Sequence, residues 1–214
     1  MTDFLPKKIC YLNDMEQAVQ DLSPGALAPG ETMKERVRRV VVRLVTPDEM
    51  PQWVELMSRH HYLERPEMVG EVLCYGATVD GHWVALTGWA SAARQVKARD
   101  QWIGWTDDQR HRRLRFVPNN VRYCMVPGWN LPNLASRVLA LNTRRLAAHW
   151  HDRFDHPVIL AETFVDPGRF DGICYQAAWW ENIGRTRGFS RIWEEHKQPK
   201  TVWMRPLRRP ARYR

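Results

Sequence analysis

The residues best equipped for chemistry lie between Val158 and Trp180, in the run PVILAETFVDPGRFDGICYQAAWW. Strand alternation puts Leu160, Glu162, Phe164 and Asp166 on one face, and Ile159, Ala161, Thr163 and Val165 on the other. Glu162 then sits mid-strand among apolar neighbours, where desolvation raises a carboxyl pKa and suits it to general-base work. The alternative is a buried carboxylate paired with an arginine such as Arg122 on the neighbouring strand. Asp166 precedes Pro167-Gly168 at the strand exit, where it could equally start a turn. Cys174 and Tyr175 fall near the start of a short helix. A helix N-terminus can lower a thiol's pKa and make it nucleophilic, and a tyrosine hydroxyl can serve as an acid, although core packing is the plainer reading of each. His61 follows His60 at the end of an earlier helix, where an imidazolium would complement the dipole. With no second pair of ligands, no metal site is expected.

A second set of residues suits anions. DQRHRRLR, residues 108–115, places Arg110, Arg113 and His111 toward one helical face, with Leu114 turned inward. From Gly184 to Arg214 there are ten Lys or Arg against two Glu, which accounts for the whole net charge of +8. Charge confined to one end implies contact with a polyanion such as DNA or RNA. Arg185, Arg187, Arg208 and Arg209 are the candidates there, and Trp102, Trp105 and Trp203 could add stacking platforms. A solvated basic face is the alternative. Arg99-Asp100 and Asn119-Asn120 could line the same cleft or form an internal ion-pair and turn network.

These residues need a scaffold, and 214 residues can supply a sizeable core. Eleven Trp and a hydrophobic fraction of 44% exclude a disordered chain. No apolar run reaches the ~18 residues of a membrane span, and the N-terminus has no signal-like stretch, so a cytoplasmic protein with no membrane partner is expected. Cys10, Cys74, Cys124 and Cys174 lack the paired spacing of a zinc site and read as buried thiols.

The elements follow from pattern. Residues 1–34 read as an N-terminal arm, and VRRVVVRLV, 37–45, as a strand. Thr46-Pro47-Asp48-Glu49 is a capping box opening a helix to His60. Asp80-Gly81 joins two strands, 69–79 and 82–90, in a hairpin. A basic helical insert covers about 91–117, with a second capping box from Thr106 to Gln109. NNVRYCMVP is a strand. Asn133 caps a long helix whose Leu134, Val138, Leu141, Leu146 and Trp150 recur near the 3.6-residue period. A strand around Glu162, a short helix from Ile173 to Trp180, a strand near Asn182 and a last one at KTVWMRP complete the chain, which ends in a basic tail at 208–214.

This order resembles that of the GNAT acyltransferases: an α+β fold with a mixed central sheet flanked by helices, here over 35–207. In those enzymes the short helix carries a tyrosine that can face the reacting thiol, and an aromatic that packs as the chain turns. Tyr175, Trp179, Trp180 and Gly184 repeat that spacing, with Trp180 in the packing position. The family binds the coenzyme A pyrophosphate on a glycine-rich loop before the long helix. Here the junction is VPGWNLPNLAS, with one glycine and Pro132 removing a donor, so coenzyme A is disfavoured and no cofactor is assigned. The N-terminus at Asn133 and Leu134 remains a general anion site.

At closer range HHYL (60–63), RDQWIGW (99–105), VPNNVRY (117–123), NLAS (133–136), ETFVDPGRFDGICYQAAWW (162–180) and GRTRG (184–188) resemble the DruA-like family of the bacterial Druantia anti-phage systems, whose domain also occurs beside transposase-like segments. That resemblance implies defence or mobile-element biology, with other defence proteins as possible partners, and no particular reaction. Two functions are therefore expected in competition. One is a nucleic-acid-binding module. The other is acyl transfer from a non-standard donor, such as an RNA-borne acyl group, with Glu162 as base and Tyr175 as acid. A polar slot between the strands ending near Val126 and beginning near Val158 would favour the enzyme; a packed seam would favour the module.

Overall fold

The computed structural model describes residues 27–63, 68–187 and 198–207. At its centre is the expected hairpin. Asp80 and Gly81 both take positive φ, 51° and 84°, and join β2 (Leu73–Val79) to β3 (His82–Ala90). Upstream, β1 (Val41–Leu44) pairs antiparallel with β2. The strand expected from Val37 starts later, because Met33–Arg38 forms a helix, α1. Its capping box is made by Thr32, inside the stretch read as an arm, and Glu35 just beyond it: Thr32 N–H donates to Glu35 (2.9 Å), and Thr32 Oγ1 accepts from Glu35 N–H (3.3 Å). After a short 3-10 turn at Pro47–Glu49, α2 runs over Met50–His60.

The insert holds two short helices, α3 (Lys97–Ile103) and α4 (Asp107–Arg113). Then come β4 (Asn119–Met125), the long α5 (Leu134–Phe154), β5 (Leu160–Val165), the single-turn α6 (Ile173–Ala177), β6 (Glu181–Arg185) and β7 (Thr201–Pro206). One sheet takes all seven strands in the order β1-β2-β3-β4-β5-β7-β6.

Two irregularities shape the middle of this sheet. Gly88 pairs with Arg122 while Trp89 pairs with Asn120, so Val121 is an extra residue that bulges β4. On its other side β4 runs parallel to β5, and their ladder contains a single pair, Asn119 with Glu162. Beyond it the strands part, leaving two half-sheets joined at one end.

The larger core lies between the sheet and α5, which buries Leu134, Val138, Leu139, Leu146 and Trp150. Asn142, on that same apolar face, accepts from Trp89 Nε1 (2.6 Å) and Thr87 Oγ1 (2.8 Å), tying the helix to β3. On the opposite side Trp53 and Met57 of α2 pack with Leu86 and Cys124, while Trp102, Ile103 and Trp105 of the insert cover Leu160, Val117 and Met204. No helix among the described residues is long and apolar enough to cross a membrane.

Candidate functional site

The seam between β4 and β5 gathers most of the polar side chains that the sequence singles out, in three groups. The first fills the gap beside the single ladder pair. Thr163 Oγ1 donates to the Asn120 carbonyl (2.8 Å), continuing with a side chain what the backbone abandons. Tyr175 donates its hydroxyl to Asn120 Oδ1 (2.8 Å), and Asn120 Nδ2 donates to the carbonyls of Gly88 (3.2 Å) and Arg122 (3.0 Å). The Tyr175 ring meets Trp180 and Tyr123 edge-on, with centroids 5.3 and 6.2 Å apart, and Trp180 stacks on Trp89. Burial pushes the Tyr175 phenol well above its ordinary value. Asn120 is thus a buried part of the network, while Asn119 is buried beside it with its Oδ1 unpartnered.

The second group explains Glu162. Both it and Arg99 of α3 are fully buried. Arg99 Nη1 donates to Glu162 Oε2 (2.9 Å) and to the Ala93 carbonyl (2.6 Å), while Ala93 N–H donates to Glu162 Oε1 (2.8 Å). Asp100 closes on Arg99 at 2.9 Å, and Arg110 reaches Asp100 at 3.4 Å and Asp107 at 2.9 Å. Burial raises the Glu162 carboxyl against the opposing pull of Arg99 and the Ala93 N–H. The carboxylate is paired, and its partner comes from the insert; Arg122 on the adjacent strand is engaged elsewhere. Arg99 is accordingly withdrawn from anion binding. The signal for its inward face was present: Val96, Arg99 and Ile103 share helical spacing with two apolar neighbours.

The third group lines the mouth of the seam. His61 is nearly buried, and its ring stacks on Tyr62 at 4.8 Å. Burial, with the cations of Arg122 and Lys200, holds its pKa down to about 4. Arg122 donates to the Val121 carbonyl at the bulge (2.7 Å). Asp166 Oδ1 accepts from Gly168 N–H (2.9 Å), the turn expected at that strand exit, and Oδ2 faces Arg169 at 3.7 Å. Tyr62, Arg169 and Lys200 are members of this group that the sequence reading did not single out, since their neighbours in space are remote in the chain.

The other candidates lie apart. Cys174 has its thiol pushed up to about 11 by burial, which outweighs any effect of a single-turn helix, so it is no activated nucleophile. Asn133 takes a left-handed φ of 64° and makes no side-chain cap, while Leu134 N–H is spent on the Leu131 carbonyl (3.2 Å), which closes part of the expected anion site. In α4, Arg110 turns inward to its two aspartates, whereas Arg113 keeps partial exposure. A pocket of about 180 Å³ opens among Arg94, Gln95, Arg110, His111 and Leu114. Arg185 and Arg187 are exposed at the end of β6; Arg208 and Arg209 lie outside the described residues. Trp180 occupies the packing position expected of it, while Trp179 beside it has φ 65° and is 83% exposed. Among the described residues no cluster of His, Cys, Asp or Glu could hold a metal.

A mixed sheet whose β4 and β5 part after one pair, backed by one long helix, defines an N-acetyltransferase-type (GNAT-like) fold. Solved structures agree at the level of fold. Aminoglycoside acetyltransferase AAC(6')-Ib in complex with paromomycin and acetyl-coenzyme A superposes with a TM-score of 0.51 at 17% identity, covering 80% of this chain and 94% of that one. The same enzyme with coenzyme A and kanamycin gives 0.51 at 17% identity, covering 80% and 96%. The same enzyme with ribostamycin and coenzyme A gives 0.51 at 15%, covering 80% and 94%. A search of curated proteins finds no match. The family is settled by sequence: the model of Druantia protein DruA matches residues 12–207, and the chain belongs to that family.

Proposed function

We propose that this chain serves a Druantia-type anti-phage defence assembly as a nucleic-acid-binding module, on a frame whose acyl-transfer seam is closed by its own side chains. The observation that carries the reading is the state of the two groups an acyl transfer would need. The Tyr175 hydroxyl is spent on Asn120, and the Glu162 carboxylate on Arg99 and the Ala93 N–H. On the insert and the end of β6, exposed cations remain. Arg94, Lys97, Arg115, Arg185 and Arg187 are exposed, and none closes an ion pair among the described residues. The insert and β6 adjoin, since Trp102 Nε1 of α3 donates to Glu181 of β6 (3.0 Å), so these charges can track one phosphate backbone.

The test is binding to single- and double-stranded oligonucleotides over a salt series. The logarithm of affinity should fall with the logarithm of salt by roughly 0.7–0.9 per phosphate contacted. Replacing Arg185 and Arg187 by Gln should flatten that slope by about two contacts. A flat salt dependence would discard the reading. One observation favours acyl transfer instead: the parting of β4 from β5 after a single ladder pair, the start of the slot an acyl donor would need. In that case Tyr175→Phe would abolish turnover in a donor screen under conditions where the variant, destabilised by about 1–3 kcal/mol through the unpaired Asn120 Oδ1, is still folded.

A further inference from the structure

A cavity of about 180 Å³ opens in the insert, between the loop before α3 and the C-terminal half of α4. Arg94 and Gln95 line it from the loop, and Arg110, His111 and Leu114 from the other side. Two of these walls are fixed. Arg110 Nη1 is held by Asp107 (2.9 Å) and Asp100 (3.4 Å). The Asp107 carbonyl, 2.8 Å from His111 Nδ1, takes the ring proton there and leaves Nε2 as an acceptor in the neutral ring. Gln95 is exposed, and its amide makes no hydrogen bond among the described residues. The approach to the cavity is cationic. Helix α3 lies along β6: Ala98 Cβ is 3.6 Å from where a side chain on Gly184 would begin, and Trp102 Nε1 reaches Glu181 at 3.0 Å. Lys97 and Arg185, each next in the chain to one of the residues in contact, are both exposed and mark the end of α3 from which the loop of Arg94 and Gln95 departs.

We infer that this cavity receives one unpaired nucleobase, with the phosphates of its strand held at Lys97 and Arg185. Size, walls and charge each bear on the assignment. A cavity of about 150 Å³ admits a benzene ring, whereas drug-sized ligands occupy roughly 300 Å³ or more, so this one suits a single ring system. Unstacked bases are held against aromatic or guanidinium planes and bonded along their edges. His111 and Arg110 supply such planes, Leu114 an apolar surface, and the Gln95 amide the donor and acceptor that the edge of adenine matches. A phosphate suits the cavity less well, because Asp107 and Asp100 stand against the Arg110 guanidinium and would oppose a further anion. The base comes either from a single strand or from a free nucleoside. The strand version rests on the function proposed above; the cavity does not.

The experiment uses the full chain and three probes: a short abasic strand, the same strand with one adenine at its centre, and adenosine. At equal phosphate charge the adenine should tighten binding on the order of 10-fold, the worth of one held base. Gln95→Ala, and separately His111→Ala, should remove most of that gain; both side chains are exposed, and thermal melting checks that each variant folds. Arg185→Gln should weaken both strands alike. Adenosine binding that needs Gln95, without any strand binding, supports the cavity and removes the nucleic-acid reading. Equal binding of the two strands, without competition by adenosine, overturns the cavity and leaves that reading standing. A gain untouched by either variant places the base elsewhere and overturns the cavity as well. If neither strand nor adenosine binds, both fall.

Discussion

Glu162 has three options at its position: ionised and paired, ionised and catalytic, or protonated. The structure pairs it, so its removal should act on stability. Glu162→Gln leaves the buried Arg99 guanidinium with Asp100 as its one remaining carboxylate, and chemical denaturation should report a loss of about 3 kcal/mol, the low end for a broken buried pair. Replacing both partners, Arg99→Met with Glu162→Leu, should recover much of that loss, because neither charge then stays buried alone. A free catalytic carboxylate would predict the opposite, an inactive Gln variant of native stability. His61 supplies a pH test. Its folded value of about 4 lies below the ordinary 6.5 of a free imidazole, so the unfolded chain binds a proton that the folded chain refuses. The stability it contributes is complete above 6.5 and is lost as pH falls toward 4, by about 3 kcal/mol at most. In His61→Gln, unfolding measured from pH 7 to 4 should be less steep than in the parent by that amount.

Elements owe their place to spacing, and spacing is what a sequence displays. The Asp80-Gly81 hairpin, the capping boxes at Thr46 and Thr106, the long α5 and the turn at Asp166 were all legible, because each depends on residues within a few positions of one another. The burial of Trp180 is what the resemblance to the acyltransferase short helix implied. Other features were not legible. Arg99 finds Glu162 63 residues away, and Lys200 acts on His61 across 139, so their chemistry belongs to the assembled sheet. The single-pair ladder was unreadable for the same reason, since alternation along one strand says nothing of how far its neighbour follows. Gly172 offers the test at this scale. It starts α6 at φ 74°, and a Cβ there would stand 2.5 Å from the Trp203 ring. Gly172→Ala should therefore cost roughly 2–4 kcal/mol, adding backbone strain to overpacking, as thermal or denaturant unfolding will measure.

In the whole molecule, β1–β4 and β5–β7–β6 are two antiparallel half-sheets meeting at Asn119 and Glu162. Each half has a ladder of many pairs, broken only by bulges; the joint between them has one pair, the Glu162 N–H bond to the Pro118 carbonyl (3.0 Å), the Ile159 N–H bond to the Phe116 carbonyl (2.9 Å), and the side chains of Thr163, Asn120 and Tyr175. Native-state hydrogen exchange in rising denaturant should find two cooperative blocks. Amides of β5, β6 and β7 should lose protection together, before those of β2 and β3, and Glu162→Gln should widen the interval. Trp179 offers a different handle on the same molecule. With Trp53, Trp89, Trp150, Trp180 and Trp203 all buried, its indole alone among these six meets water almost in full. Its fluorescence should therefore supply a red-shifted, collisionally quenchable part of the emission that disappears in Trp179→Phe, and shielding of that part from iodide or acrylamide would report whatever settles against α6.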